Sequence, residues 1–306
     1  MHRRALIAVA LLAVAATTAC GSAPEESDEE EVSGEDALIG GAPATIAQFP
    51  ATVYLKKGCT AAKVAEKRLL TAAHCVLDGS TLDLKYGPDK PVELTREPSK
   101  GFTTHAVAKV HVQPKWLPAC ESSYCASSTV TALLDAADVA VIELAEDLVG
   151  VPIAPIDTAP LATRAKVTVL GFGCTEGVTA QDARTDVTLK YAETTILAPS
   201  RAVHEGSPVD ATKVGQVAGI YALTPGPARV KNAGGLCPGD SGGPLYKKRG
   251  DTLVVVGVNA NYTLRPGEKD LAGIPVTNWH TRLDAQSRLG IAAWLESVGA
   301  LSAAKR

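Results

Sequence analysis

From Leu38 onward the chain is written in short apolar runs rich in β-branched residues. ATVYL, RLLTAAHC, VAKVHV, DVAVIEL, KVTVLGFG and TLVVVGVNANY are each broken off by Gly, Pro, Asp or Ser. Runs this short suit strands, and many of them at turn-broken spacing call for an all-β sandwich or barrel. One segment reads otherwise. In DAQSRLGIAAWLESVGALSA, near the end, Leu289, Ala292, Trp294, Leu295, Val298 and Leu301 share a face at helical period, with Gly290 and Gly299 as weak points. No internal repeat is visible.

The start of the chain has a different composition. Met1–Arg4 carries positive charge, ALIAVALLAVAATTA is apolar, and small residues lead to Cys20, which together read as a secretion signal over residues 1–19. The apolar run is shorter than the roughly 20 residues a membrane span needs. A cysteine directly after small residues resembles the lipobox of bacterial lipoproteins, whose mature chain begins at an acylated cysteine. Thr17 stands where that motif usually has leucine, and cleavage after Ala19 by an ordinary signal peptidase is the alternative. Residues 20–37 then form a spacer or propeptide with eight acidic side chains and no basic one, a composition that stays solvated and extended. The formal net charge is -3, so the domain from 38 to 306 is left at about +3. No basic stripe with interleaved aromatics accompanies that charge, so nucleic acid is not an expected partner. Contact with a membrane is expected only through a lipid on Cys20.

Seven cysteines is an odd number for an exported chain. Assigning Cys20 to a lipid leaves six that can pair in an oxidising compartment. Cys59 and Cys75 bracket one segment, Cys120 and Cys125 are close enough for a local loop, and Cys174 and Cys237 remain. Metal binding is not expected, because neither a CxxC pair nor a histidine pair at ligand spacing is present, and no cofactor is called for.

The octapeptide CPGDSGGP, Cys237 to Pro244, is too rich in glycine for a helix interior. It fits a sharp turn that lets another molecule approach closely, with Ser241 exposed on it. A serine hydroxyl is a poor nucleophile at neutral pH unless an imidazole takes its proton and a carboxylate orients the imidazole. His74, in LLTAAHCV, and Asp138, at the head of the apolar run DVAVIEL, supply those groups. Each alone has an ordinary structural reading, as a core histidine or a strand cap. Together, in the order His, Asp, Ser, they point to nucleophilic catalysis.

The chain resembles the trypsin and chymotrypsin family of serine peptidases. The matching pieces are LIGG at Leu38–Gly41, TAAHC at Thr71–Cys75, DVAVIEL from Asp138, GFG at Gly171–Gly173, GDSGGP at Gly239–Pro244 and the fifteen residues between Cys59 and Cys75. The resemblance implies two six-stranded antiparallel β-barrels with a C-terminal helix and an active site in the cleft between them. His74 and Asp138 would come from the first barrel and Ser241 from the second. It implies an oxyanion hole from the N–H groups of Gly239 and Ser241 and a zymogen whose new N-terminus, Leu38, pairs with Asp240. Protein or peptide substrates follow, and a protein inhibitor is admitted as a further partner.

Four positions depart from the family's usual pattern. Gly235, six residues before the serine, stands where trypsin-like enzymes carry the aspartate that selects Arg or Lys, and Leu236 follows it. A cationic side chain would be buried unpaired there, so a small or apolar residue is expected on the acyl side of the cut. Tyr262 falls at a pocket-wall position usually held by glycine, and Ala260 where a serine usually bonds the triad aspartate. The family's usual partner for the cysteine of the serine loop is absent, and Cys174, after GFG, is the implied substitute. The expected function is a secreted serine endopeptidase; the alternative is a catalytically silent binding protein on the same fold.

Overall fold

The computed structural model describes residues 38–118, 134–174, 187–204, 206–265 and 273–301. The leader, Cys20, the acidic spacer and the pair Cys120 and Cys125 lie outside them. After a two-residue strand, β1 (Ala42–Pro43), the chain builds a first sheet from β2 (Thr52–Leu55), β3 (Cys59–Ala65), β4 (Arg68–Thr71), β5 (Val92–Thr95), β6 (Thr103–His105), β7 (Val107–Val112) and β8 (Ala140–Leu144). Their order is β6-β5-β2-β3-β4-β8-β7, all antiparallel. The second sheet uses β9 (Lys166–Gly171), β10 (Lys190–Thr195), β13 (Tyr221–Pro225), β14 (Pro244–Arg249), β15 (Thr252–Thr263) and β16 (Thr277–Arg282). Its order is β1-β10-β9-β14-β15-β16-β13, and a small hairpin, β11 (Val203–His204) with β12 (Ser207–Pro208), lies outside it.

Six strands per barrel were expected and each sheet has seven, for two separate reasons. In the first, β6 and β7 stand at opposite ends of the order yet are separated in sequence by Ala106 alone. One run of chain therefore pairs with β5 at its start and β8 at its end, closing a six-membered barrel on itself. In the second, the extra strand is β1, the incoming segment, laid on β10 with Ala42 opposite Tyr191. The other six close where Leu197 N–H donates to the Leu223 carbonyl at 2.8 Å.

Buried strand faces explain the sequence runs. All seven residues of β3 are buried, which its small side chains Ala61, Ala62 and Ala65 allow. Lys63 is tolerated there because its ammonium meets Asp147 at 2.6 Å and the carbonyls of Leu148 and Val151. The two barrels share a core in which Tyr54 packs on Phe172, with ring centroids 5.4 Å apart, and Phe49 stacks on Tyr246 at 5.9 Å. The C-terminal helix is shorter than the periodicity predicted, running over Ile291–Ser297 with Ile291 and Leu295 buried. Gly290 (φ 63°) and Gly299 (φ 68°) do not weaken its interior; they are the left-handed residues that bound it.

Candidate active site

Strand register brings the first two candidates together. In the antiparallel pair β4–β8, Thr71 lies opposite Ala140. The chain leaving β4 and the chain entering β8 therefore sit on one rim. His74 follows β4 in a single helical turn, Ala73–Val76, and Asp138 precedes β8. His74 Nδ1 and Asp138 Oδ2 are 2.6 Å apart, and the His74 backbone N–H donates to Oδ1 at 3.0 Å. With Asp138 buried as a carboxylate, Nδ1 carries the ring proton and Nε2 is left with its lone pair. Burial works to lower the pKa of His74, but the charge of Asp138 and its hydrogen bond outweigh it and the opposing Lys85, holding the imidazole above its ordinary value.

Ser241 stands on the loop that enters β14, and β3 grips that loop from the first barrel. Thr60 N–H donates to the Ser241 carbonyl at 2.8 Å and Thr60 Oγ1 to the Gly239 carbonyl at 2.8 Å. Gly239 has φ 110°, a backbone that side chains rarely adopt. Among the described residues, the N–H groups of Gly239 and Ser241 donate to nothing, whereas Asp240, Gly242 and Gly243 around them all have acceptors. Free donors on one short loop are what an oxyanion site draws on. No hydrogen bond joins Ser241 Oγ to His74 among the described residues; Nε2 lies 3.8 Å from Cys75 Sγ, which in turn is 3.5 Å from the Ser241 carbonyl oxygen.

Asp240 points the other way, into the second barrel, and is fully buried. Its carboxylate accepts from Gly173 N–H at 2.8 Å and Cys237 N–H at 3.0 Å. Gly171 and Gly173 are obligatory neighbours, since a Cβ on either would come within 2.4 Å of a carboxylate oxygen. Burial pushes Asp240 up to about 7, and no cation among the described residues opposes it. Next to this group, Cys174 is bonded to Cys237 with Cα atoms 5.8 Å apart, and Cys59 to Cys75 with Cα atoms 6.0 Å apart. The incoming segment docks on the same region. Leu38 is fully buried and Ile39 exchanges backbone hydrogen bonds with Gly235.

A profile of the trypsin family matches residues 38–278. The chain belongs to the trypsin family. Solved structures agree on the fold. A mutant form of human heparin binding protein superimposes with a TM-score of 0.54 at 16% identity, covering 88% of this chain and 99% of that one. A second structure of human heparin binding protein gives a TM-score of 0.54 at 14% identity, covering 85% and 95%. A sequence search of curated proteins found no match.

The departures from the usual trypsin-family pattern fall in the second barrel. Gly235 is flanked by Pro227 and Pro275, either of which a Cβ would meet within 3.0 Å, and Leu236 is buried. Tyr262 is half-buried against the cluster of Leu38, Val169 and Leu236. Ala260 is the extra residue of a bulge between Asn259, opposite His280, and Asn261, opposite Trp279. It offers Asp138 no hydroxyl, and among the described residues the Asp138 carboxylate receives hydrogen bonds from His74 alone. Beyond Val258, β15 has lost β14, so Asn261 and Tyr262 pair with β16 on one edge only among the described residues. Cys59, His74 and Cys75 cluster at metal-binding distance, but both cysteines are spent in their disulfide. Reading the sequence missed Thr60, Asn259, Asn278 and His280. The available signal was polar residues inside apolar strand runs, in GVNANY and VTNWHT.

Proposed function

We propose that this trypsin-family domain is an exported serine endopeptidase. Ser241 Oγ attacks the substrate carbonyl carbon while His74 Nε2 takes its proton, and His74 then returns that proton to the leaving amine as the C–N bond breaks. Water repeats the sequence in reverse on the acyl-enzyme. Asp138 holds the imidazole's tautomer, and Gly239 and Ser241 N–H receive the oxyanion. The observation that carries this reading is the 2.6 Å His74–Asp138 pair on the rim that grips a serine loop with two unused N–H donors. Gly235 and Leu236 with Tyr262 favour a small or apolar side chain on the acyl side of the cut, and two disulfides fit an exported domain. Fluorophosphonate labelling tests the reading. Labelling at Ser241 that His74→Ala abolishes is expected, and an unlabelled processed chain would overturn it.

A second reading is a binding protein on the same fold. It is favoured by the missing Ser241–His74 hydrogen bond and by similar structures named for binding heparin. An unlabelled chain that retains the fold would select it.

Activation follows from Asp240. A cut between Ala37 and Leu38 would free an α-ammonium at the buried Leu38, and Asp240 is a buried carboxyl with no cation among the described residues to pair with it. The same cut would sever the domain from residues 20–37 and from a lipid on Cys20, making activation and release one event. Soluble active chains beginning at Leu38 are the expected finding; active enzyme still carrying residues 20–37 on the membrane would refute it.

A further inference from the structure

Beneath the serine loop runs a chain of buried polar side chains that the catalytic reading does not use. Asn259 in β15, Asn278 and His280 in β16 and Thr224 in β13 are each 0% exposed. Asn259 Nδ2 donates to the carbonyls of Leu170 at 2.9 Å and Asp240 at 3.2 Å, leaving its Oδ1 beside His280 Nδ1 at 2.8 Å. That oxygen can only accept, so Nδ1 carries the ring proton. The other ring nitrogen must then accept, and it does so from Thr224 Oγ1 at 2.9 Å. Thr224 Oγ1 accepts in turn from Asn278 Nδ2 at 3.1 Å. Asn278 closes the chain, donating to the Gly234 carbonyl at 2.7 Å and taking Leu236 N–H at 2.9 Å on its own oxygen. Asn278 Nδ2 also has the Pro225 carbonyl at 3.2 Å, so one of its two protons is shared, whereas the directions at Asn259, His280 and Thr224 are fixed. Burial pushes His280 down to about 3, so the ring is neutral and this tautomer persists at working pH.

The two ends of the chain lie at the proposed site. The Asp240 carbonyl belongs to the Asp240–Ser241 peptide, whose other face carries the Ser241 N–H. A peptide is planar, so fixing its carbonyl aims its N–H, and that carbonyl is held jointly by Gly243 N–H at 3.0 Å and Asn259 Nδ2 at 3.2 Å. Gly243 leaves the space this needs, since a Cβ there would come within 2.8 Å of Asn259 Nδ2 and 2.9 Å of the Asp240 oxygen. At the far end, Gly234 and Leu236 flank Gly235 on the pocket wall.

We infer that Asn259, His280, Thr224 and Asn278 form a positioning relay that aims the Ser241 N–H at the oxyanion and ties that aim to the backbone of the pocket wall. The inference rests on the peptidase reading. It differs from a packing role in what it changes. Loosening the relay lowers turnover and transition-state binding, and leaves ground-state binding nearly untouched.

The full processed chain is compared with Asn259→Leu and Thr224→Val. Active sites are counted with a fluorophosphonate; kcat and KM are read on a peptide nitroanilide with alanine on the acyl side, and inhibition is read with the matching peptide aldehyde. Outright loss of one oxyanion donor costs about a hundredfold or more in kcat. A mis-aimed donor should cost about tenfold at Asn259 and less at Thr224, with KM unchanged and aldehyde affinity falling by the factor lost from kcat. Lower melting temperatures with unchanged kcat per counted site would make the chain a packing feature and overturn the relay. If Asn259→Leu does not fold, Thr224→Val decides by the same split. A parent that takes no label overturns the peptidase reading and the relay together, whereas a labelled parent with unaffected variants overturns the relay alone.

Discussion

The two barrels hold their shares of the site by different means. On the first, strand register alone sets His74 beside Asp138, and the imidazole and the carboxylate answer each other's needs. On the second, the serine loop is folded over a buried acid, Asp240, which two N–H groups serve and which no cation among the described residues neutralises. One half is complete as the chain folds. The other keeps a buried acid that no cation among the described residues meets, and that makes it the half an arriving group can change. In the proposed peptidase, regulation would then act at the loop that carries Ser241 and not at His74.

The largest test of that comparison is Ser241→Ala, which should cost kcat on the order of a million-fold while leaving the melting temperature nearly unchanged. A variant that keeps measurable turnover would detach the second barrel from the chemistry. Next in size is the buried acid itself. Asp240 has a folded pKa raised to about 7 against 3.8 unfolded, so the folded uncut chain holds its proton more tightly than the unfolded chain. Its stability should therefore fall as pH rises from about 4 to about 7, by on the order of 4 kcal/mol in total. Denaturant titrations across that range should show the loss in the uncut chain and its absence in Asp240→Asn. After a cut at Leu38, pairing would depress the same pKa, so the loss between about pH 4 and about 7 should disappear and stability should instead fall as pH drops below about 4.

Smaller effects probe the first barrel. The raised pKa of His74 places the rise of kcat/KM above the roughly 6.5 of a free imidazole, because the ring must lose its proton to act as base. A pH–rate profile with its midpoint below that value would mean Asp138 does not support the ring. The smallest change is Ala260→Ser, which offers Asp138 a donor in addition to His74. It should alter kcat/KM by less than about tenfold, the worth of roughly 1 kcal/mol from one hydrogen bond.

What the sequence disclosed follows the same division. His74, Asp138 and Ser241 were legible because each sits in a short contiguous motif, and so were the strands, because β-branched runs carry their own signal. The relay was not. Asn259 and His280 are separated by a hairpin and meet across a sheet at a bulge, and nothing local in GVNANY or VTNWHT says which carbonyl lies beyond them. Gly290 and Gly299 were visible but misjudged, since helix propensity counts a glycine as a cost wherever it falls, whereas these two occupy left-handed boundary positions. The seventh strands escaped because one is a break at a single residue and the other is a two-residue strand too short to carry a period.

The closure of the first barrel through Ala106 bears on how the proposed peptidase would survive its own activity. An extended segment can add to an open sheet edge as a further strand, and the free edge at Asn261 and Tyr262 is suited to receive one in the proposed peptidase. A sheet whose first and last members are one run of chain presents no end strand that a second copy could peel away. Attack by one molecule on another should then begin in exposed connections such as Gly79 to Asp83. Cuts found there first, with β6 and β7 intact, would make barrel closure a defence against self-digestion as well as a scaffold.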